Sequence, residues 1–428
     1  MRCNMNPVLE RSFVNMNLNE QRKTISAICA ESPMFDFSAV RLNERQLVDK
    51  SGHHVIDFAS QDYLGLTFND DVVNASISGT RDFGTVVAWC RLVGTVEVFN
   101  QVEQEIAELV GTEACSIFAS TTLLNHGVIP ALMGKDGVLF LEKSAHMTMY
   151  EGAKIARDSG SKLCNFNLND LEQLEDLLIE NQHISKKLIC VDGVNSMTGD
   201  YTDLPRLDKL AKKYNALLYV DDAHGFGVVG EKPDVEYPYG KRGNGIVNYF
   251  GLDYENIVYI GCFSKAYGSF GSFICCSHNL RRYLISQATP HDLGGAGPAS
   301  AMCAVLEGLK INASQGEFLR SKMSELTRMA IKGLTEIGFD TSNETGFPII
   351  SVKVGSGKDM IKASRVLYEN HILLTLAPYP MVKKGSEAFR ITITATNTSH
   401  DIAQLIKAFE ELKNIGYSSS LLQRNNIQ

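Results

Sequence analysis

Gly261-Cys262-Phe263-Ser264-Lys265-Ala266-Tyr267-Gly268 follows the apolar run Asn256-Ile257-Val258-Tyr259-Ile260. The run reads as a buried strand, and the octapeptide carries one lysine to its carboxyl end. Open α/β sheets keep their ligands at that end. Burial there disfavours an ammonium ion, so such an amine can act as a nucleophile. A lysine so placed can form a Schiff base with an aldehyde.

Working outward, three further runs read as strands that end in polar residues or lie beside this one. They are Lys187-Leu188-Ile189-Cys190-Val191 before Asp192, Ala216-Leu217-Leu218-Tyr219-Val220 before Asp221, and Ser272-Phe273-Ile274-Cys275-Cys276. Amphipathic helices are expected between strands: 101–110 closed by Gly111, 169–180 with Asn169 as N-cap, and 202–214. Strand–helix alternation of this kind predicts an α/β fold with a mostly parallel sheet covered on both faces. A composition shift near 285–300 precedes a long helix, about 299–332, expected to be broken. The remainder predicts a smaller α+β domain with strands 348–354 and 389–394 and a closing helix 401–414. The expected division is an N-terminal segment, 1–55, a large domain, 56–310, and a small C-terminal domain, 311–428.

The 428 residues are 44% hydrophobic and 21% charged, with net charge −8. That is the composition of a globular protein, and the acidic balance argues against a nucleic-acid partner. No apolar run is long enough to predict a membrane span, and Met1 to Pro7 lacks the pattern of a signal peptide. Ten cysteines without CxxC spacing suggest reduced thiols in a cytoplasmic protein, with neither a zinc site nor a disulfide framework. The polar tail 418–428 is expected to be loose.

Asp192, Asp221 and Lys265 thus stand at or beyond the ends of predicted strands. A pyridine-type electron sink needs an acid beside its ring nitrogen, a lysine for its aldehyde and a pocket for its phosphate. Asp221, in Val220-Asp221-Asp222-Ala223-His224-Gly225, suits the first role, and His224 could reach the ring hydroxyl. The same acidic box could belong to a nucleotide hydrolase, but that needs a GxxxxGK[ST] loop. Gly134-Lys135 and Gly357-Lys358 are each followed by Asp, so neither completes it.

With these residues in hand, the chain resembles the α-oxoamine synthases, pyridoxal 5'-phosphate enzymes of fold type I. The resemblance runs from about Asp57 to Gly416. It rests on Asp62-Tyr63-Leu64-Gly65-Leu66, Ser144-Ala145-His146, the run from Asp192 to Asp200, the run from Val220 to Gly225, Ser264-Lys265-Ala266, and Phe389-Arg390-Ile391-Thr392-Ile393-Thr394. The resemblance implies that Lys265 is the Schiff-base lysine, Asp221 the pyridinium carboxylate and His146 the stacking histidine. It puts Ser196 and His224 at the cofactor's 3-oxygen. Thr121 and Thr122 fall at the helix N-terminus that receives the phosphate, with Cys262 and Ser264 on the same side. Arg390 falls where the amino-acid carboxylate is held, and Gln61 near the substrate.

The activity implied is decarboxylative condensation of an amino acid with an acyl thioester, carried by coenzyme A or a carrier protein, in a homodimer with a shared site. An aminotransferase or lyase, or a non-catalytic partner subunit, is the competing expectation. Four departures stand out. Gln61 replaces the family's Asn, and Asp192 stands where many members carry Glu. The Gly-rich run is here Gly84 to Thr95 with Trp89 and fewer glycines, and Gly294-Gly295 replaces the hydroxyl residues that reach the phosphate across the dimer. They point to a specialised member.

Overall fold

The computed structural model describes residues 25, 28, 30–341, 343–379, 381–382 and 385–417. The expectations for Met1 to Pro7 and for the tail 418–428 fall outside them. Fourteen strands among these residues are numbered here in chain order. They are β1 Ala39–Asn43, β2 Gln46–Asp49, β3 His54–Asp57, β4 Ala114–Phe118, β5 Val138–Glu142, β6 Lys162–Phe166, β7 Lys187–Asp192, β8 Leu217–Asp221, β9 Ile257–Cys262, β10 Ser272–Cys276, β11 Ile349–Gly355, β12 Ile372–Leu373, β13 Thr375–Ala377 and β14 Glu387–Thr392.

Seven strands form the central sheet in the order β4-β10-β9-β8-β7-β5-β6. Pairing is parallel from β9 through β8, β7 and β5 to β6. Only β10 runs against its neighbours, pairing antiparallel with β9 and β4. Apolar runs carry no direction, so the sequence gives no sign of that reversal.

Both faces of the sheet are covered, which is why its strands are apolar without alternation. Leu188, Cys190, Val258 and Ile260 enter one core with Leu124, Val128, Met149 and Ala153. Their neighbours Ile189, Val191, Ile257 and Tyr259 enter the other, with Val102, Ile106, Leu174 and Leu207. The helices behind these contacts are Thr121–Met133, Met147–Asp158, Glu97–Val110, Leu171–Glu180 and Leu204–Lys213. Each fully buried Leu or Ile contributes roughly 2 kcal/mol of transfer free energy. The cap of Leu171–Glu180 is Asp170, whose carboxylate accepts from Gln173 N at 3.0 Å, one residue beyond the expected Asn169.

A second apolar core unites the chain's two ends. Val55 and Phe58 pack with Val352, Phe389, Ile391, Leu405 and Phe409. Strand β3 pairs in parallel with β12, and β11, β14 and β13 form an antiparallel sheet. The helix Ser399–Asn414 closes this layer through a capping box between Thr398 and Asp401.

One helix, Ala299–Glu336, connects the two cores as 38 residues without a break. The expected breaks are absent, and two of its glycines are points of close approach. A Cβ at Gly308 would lie 2.9 Å from the Tyr267 ring, and one at Gly333 would lie 2.2 Å from Ile406.

Candidate active site

The Lys265 turn joins β9 to β10. Phe263 N donates to Gly271 O at 2.9 Å and Ser269 N to Phe263 O at 3.0 Å, closing the turn at its base. Ala266 and Tyr267 are fully buried beneath it, and the Tyr267 ring stacks on Phe226 with centroids 5.2 Å apart. Buried neighbours thereby fix a backbone whose next outward residues, Ser264 and Lys265, keep access to solvent. Lys265 is half-buried rather than fully enclosed.

Asp221 ends β8 and is 5% exposed. Asn125 Nδ2 donates to its Oδ2 at 3.0 Å, and Ala223 N donates to its Oδ1 at 3.2 Å. Asn125 projects from the buried side of Thr121–Met133, and Tyr219 OH donates to its Oδ1 at 2.6 Å.

His146 caps the helix Met147–Asp158, its Nδ1 accepting from Thr148 N at 3.4 Å and lying 2.8 Å from Thr148 Oγ1. Its backbone N–H reaches Asp192 Oδ1 at 3.4 Å. Desolvation of the ring lowers its pKa; the Asp221 charge opposes this and the Lys265 charge adds to it. His224 is buried, with Tyr63 OH 2.8 Å from its Nδ1. Burial takes its pKa well below the usual imidazole range, and the charges of Lys265, Arg390 and His146 act in the same direction.

Arg390, on β14, is 8% exposed. Its Nη1 donates to Ser196 O at 3.0 Å, and its Nε has no partner. No carboxylate pairs with it among the described residues. A buried guanidinium without an anion is costly, and none of the described residues supplies one.

The helix Thr121–Met133 turns its N-terminus toward the same polar cluster, since Asn125 lies one turn inside it. Ser120, not Thr121 or Thr122, is the cap, accepting from Leu123 N at 3.3 Å. Thr121 and Thr122 therefore stand in the first turn, where N–H groups lack intrahelical partners and an anion is favoured.

Three expected residues are less engaged. The buried Cys262 thiol turns to Ala223 O at 3.3 Å, and Ser264 Oγ is 3.5 Å from Cys262 Sγ. The half-buried Gln61 makes no side-chain hydrogen bond among the described residues. The run 84–95 turns its arginine inward: Arg91 pairs with Glu103 at 2.8 Å and donates to Ile117 O. Four residues of the polar cluster had no role assigned from sequence: Asn125, Thr148, Tyr219 and Tyr63. For Asn125 a signal existed, an amide among Leu124, Val128 and Ile129 on a buried helix.

The donor set fits pyridoxal phosphate. An acid anchored at a strand end, a lysine on a fixed turn, an imidazole that feels both charges, a helix N-terminus and a buried guanidinium without a carboxylate partner among the described residues match the needs of a ring nitrogen, an aldehyde, a ring face, a phosphate and a substrate carboxylate.

Comparison with known proteins agrees. Residues 53–409 match the family model for aminotransferases of class I and II. The chain is 30% identical over 420 residues to 8-amino-7-oxononanoate synthase of Alkaliphilus metalliredigens, covering 98% of this chain and all of that one. It is 31% identical over 370 residues to serine palmitoyltransferase of Bacteroides ovatus, covering 85% and 90% of the two chains. A solved serine palmitoyltransferase from S. paucimobilis shares the fold with a TM-score of 0.83 at 23% identity, covering 95% and 98%. The chain belongs to the class I and II aminotransferase family and, within it, to the α-oxoamine synthases, which depend on pyridoxal phosphate.

Proposed function

We propose that this α-oxoamine synthase joins an amino acid to an acyl thioester at the cluster around Lys265. An amino acid, an acyl thioester and one proton give an α-amino ketone, carbon dioxide and a free thiol. The observation that carries the reading is the convergence of Asp221, His146, Lys265 and an anion-free Arg390 at the carboxyl ends of β7 to β9.

Bound there, pyridoxal phosphate supplies an electron sink for negative charge developing at the amino acid's Cα. The protein residues do the rest. Asp221, held by Asn125 and Ala223, would pair with the ring nitrogen. Lys265 would hold the cofactor's aldehyde and would move the proton at the substrate's Cα. Thr121, Thr122 and Ser264 would hold the phosphate, with Cys262 beside them. His224 and Ser196 would serve the 3-oxygen, with Tyr63 fixing the His224 ring. His146 would cover the ring face, Arg390 would hold the substrate carboxylate, and Gln61 would meet the substrate.

The working unit is a homodimer. Trp89, Leu92 and Val93 are 49%, 73% and 73% exposed on one loop segment, an apolar surface suited to a second copy. No helix among the described residues is long and apolar enough to cross a membrane. A cytoplasmic location fits the eight described cysteines, all free thiols.

The test supplies the holoenzyme with amino acids and acyl thioesters and measures thiol and carbon dioxide together. Equal yields of both support the reading. Amino transfer to a keto acid without thiol release overturns it.

A further inference from the structure

Beneath the residues assigned above runs a chain of hydrogen bonds, most of whose directions are fixed by chemistry. It begins at Tyr219, whose hydroxyl donates to Asn125 Oδ1 at 2.6 Å. The Asn125 amide nitrogen has two protons and two acceptors, Asp221 Oδ2 at 3.0 Å and Thr148 Oγ1 at 3.0 Å. Turning the amide over would point its oxygen at the Asp221 carboxylate, leaving two acceptors face to face. The orientation is therefore set by the Asp221 charge. Thr148 Oγ1, already an acceptor from Asn125, has one proton left, and His146 Nδ1 lies 2.8 Å away. Thr148 N also points at that nitrogen, at 3.4 Å. A backbone N–H can only donate, so the Thr148 N contact makes Nδ1 the acceptor, and the Thr148 hydroxyl, which can also accept, completes the pair by donating its remaining proton there.

We propose that Asn125 and Thr148 lock His146 as the Nε2–H tautomer, so that the histidine meets its ligands as a hydrogen-bond donor and not as a base. Both are positioning residues: neither need touch substrate or cofactor. The lock couples two functions in one network, because the amide that steadies Asp221 also orients the hydroxyl that sets the histidine. Nε2 makes no hydrogen bond to protein among the described residues and His146 keeps an exposed edge, so its N–H is free for an oxygen acceptor. On the reading of the site given above, that acceptor is a carboxylate or thioester carbonyl oxygen of the substrate. Proton removal is then left to Lys265.

The relay also accounts for the buried polar residues in otherwise apolar surroundings. Asn125 is fully buried and Thr148 is 8% exposed, positions where unpaired polar atoms cost stability and apolar residues pack more simply.

The experiment is 15N NMR of the holoenzyme grown with ring-labelled histidine, the His146 signals being identified by their loss in His146→Gln. The expected result is a protonated Nε2 and an unprotonated Nδ1. Thr148→Val removes the hydroxyl donor and is expected to give a mixture of tautomers, whereas Thr148→Ser keeps the wild-type pattern. In turnover, Thr148→Val lowers kcat about tenfold and changes KM about twofold or less, as loss of one oriented hydrogen bond does. A proton on Nδ1 in the wild-type protein, or an unchanged spectrum in folded Thr148→Val, overturns the proposal. The tautomer is read without turnover. A missing condensation activity with an intact Nε2–H pattern therefore counts against the assigned reaction and not against the lock.

Discussion

The carboxyl ends of β7 and β8 carry one aspartate each, paired in register as Asp192 and Asp221. Both are buried, 9% and 5% exposed. Their surroundings differ. Asp221 receives an amide from Asn125 and the N–H of Ala223. Asp192 receives one long contact from His146 N, and its Oδ2 has no partner. Burial, and then the neighbouring Asp221 charge, push the Asp192 carboxyl well above the usual range. Two carboxyls a strand apart are therefore set apart by directed donors more than by depth.

Breaking the favoured side should have the largest effect. Asp221→Asn is expected to reduce kcat/KM about a thousandfold, in line with removal of a principal electrostatic group. Asp192→Asn in the same assay should stay within about threefold, because the neutral amide resembles the protonated form that burial favours at that position. Equal losses at the two positions would erase the distinction. Next in size is Arg390→Gln. It removes the buried cation proposed to hold the substrate carboxylate and should raise KM for the amino acid about a hundredfold, with a smaller change in kcat. Steady-state kinetics against amino acid and thioester separately checks this, since the thioester KM should hardly move.

The smallest effect sharpens the contrast from the other side. A carboxyl whose folded pKa lies above its unfolded value binds its proton more tightly when folded. Its stabilising contribution is full below the unfolded pKa and is lost as pH rises through the folded pKa. Asp192→Asn carries no such proton. The melting temperature of the variant relative to wild type should therefore rise with pH, and thermal unfolding at several pH values would show it. A difference independent of pH would mean that Asp192 is not held protonated.

The parts of this account that were legible in the sequence have a common physical origin. Apolar runs that end in a charged residue announce buried strands, so β7, β8 and β9 could be placed to within two residues, and with them Asp192, Asp221 and Lys265. Helix starts were less secure where two capping residues adjoin, as at Asn169 and Asp170. What the sequence hid was relational. Nothing in Asn125 or Thr148 reveals that they meet across two helices, or that Arg390 on β14 comes to Ser196 from 194 positions away. The unbroken helix Ala299–Glu336 was obscured for a related reason. Glycine reads locally as a breaker, while here it makes room for Tyr267 and Ile406.

Everything in the assignment converges on the amine of Lys265. Borohydride treatment of the holoenzyme, followed by digestion and mass spectrometry, locates the cofactor's covalent attachment directly. The expected outcome is a single pyridoxyl modification on the peptide containing Ser264-Lys265-Ala266, absent from Lys265→Ala along with the visible absorbance of the holoenzyme. Modification of another lysine, or an unaltered spectrum in Lys265→Ala, would contradict the account.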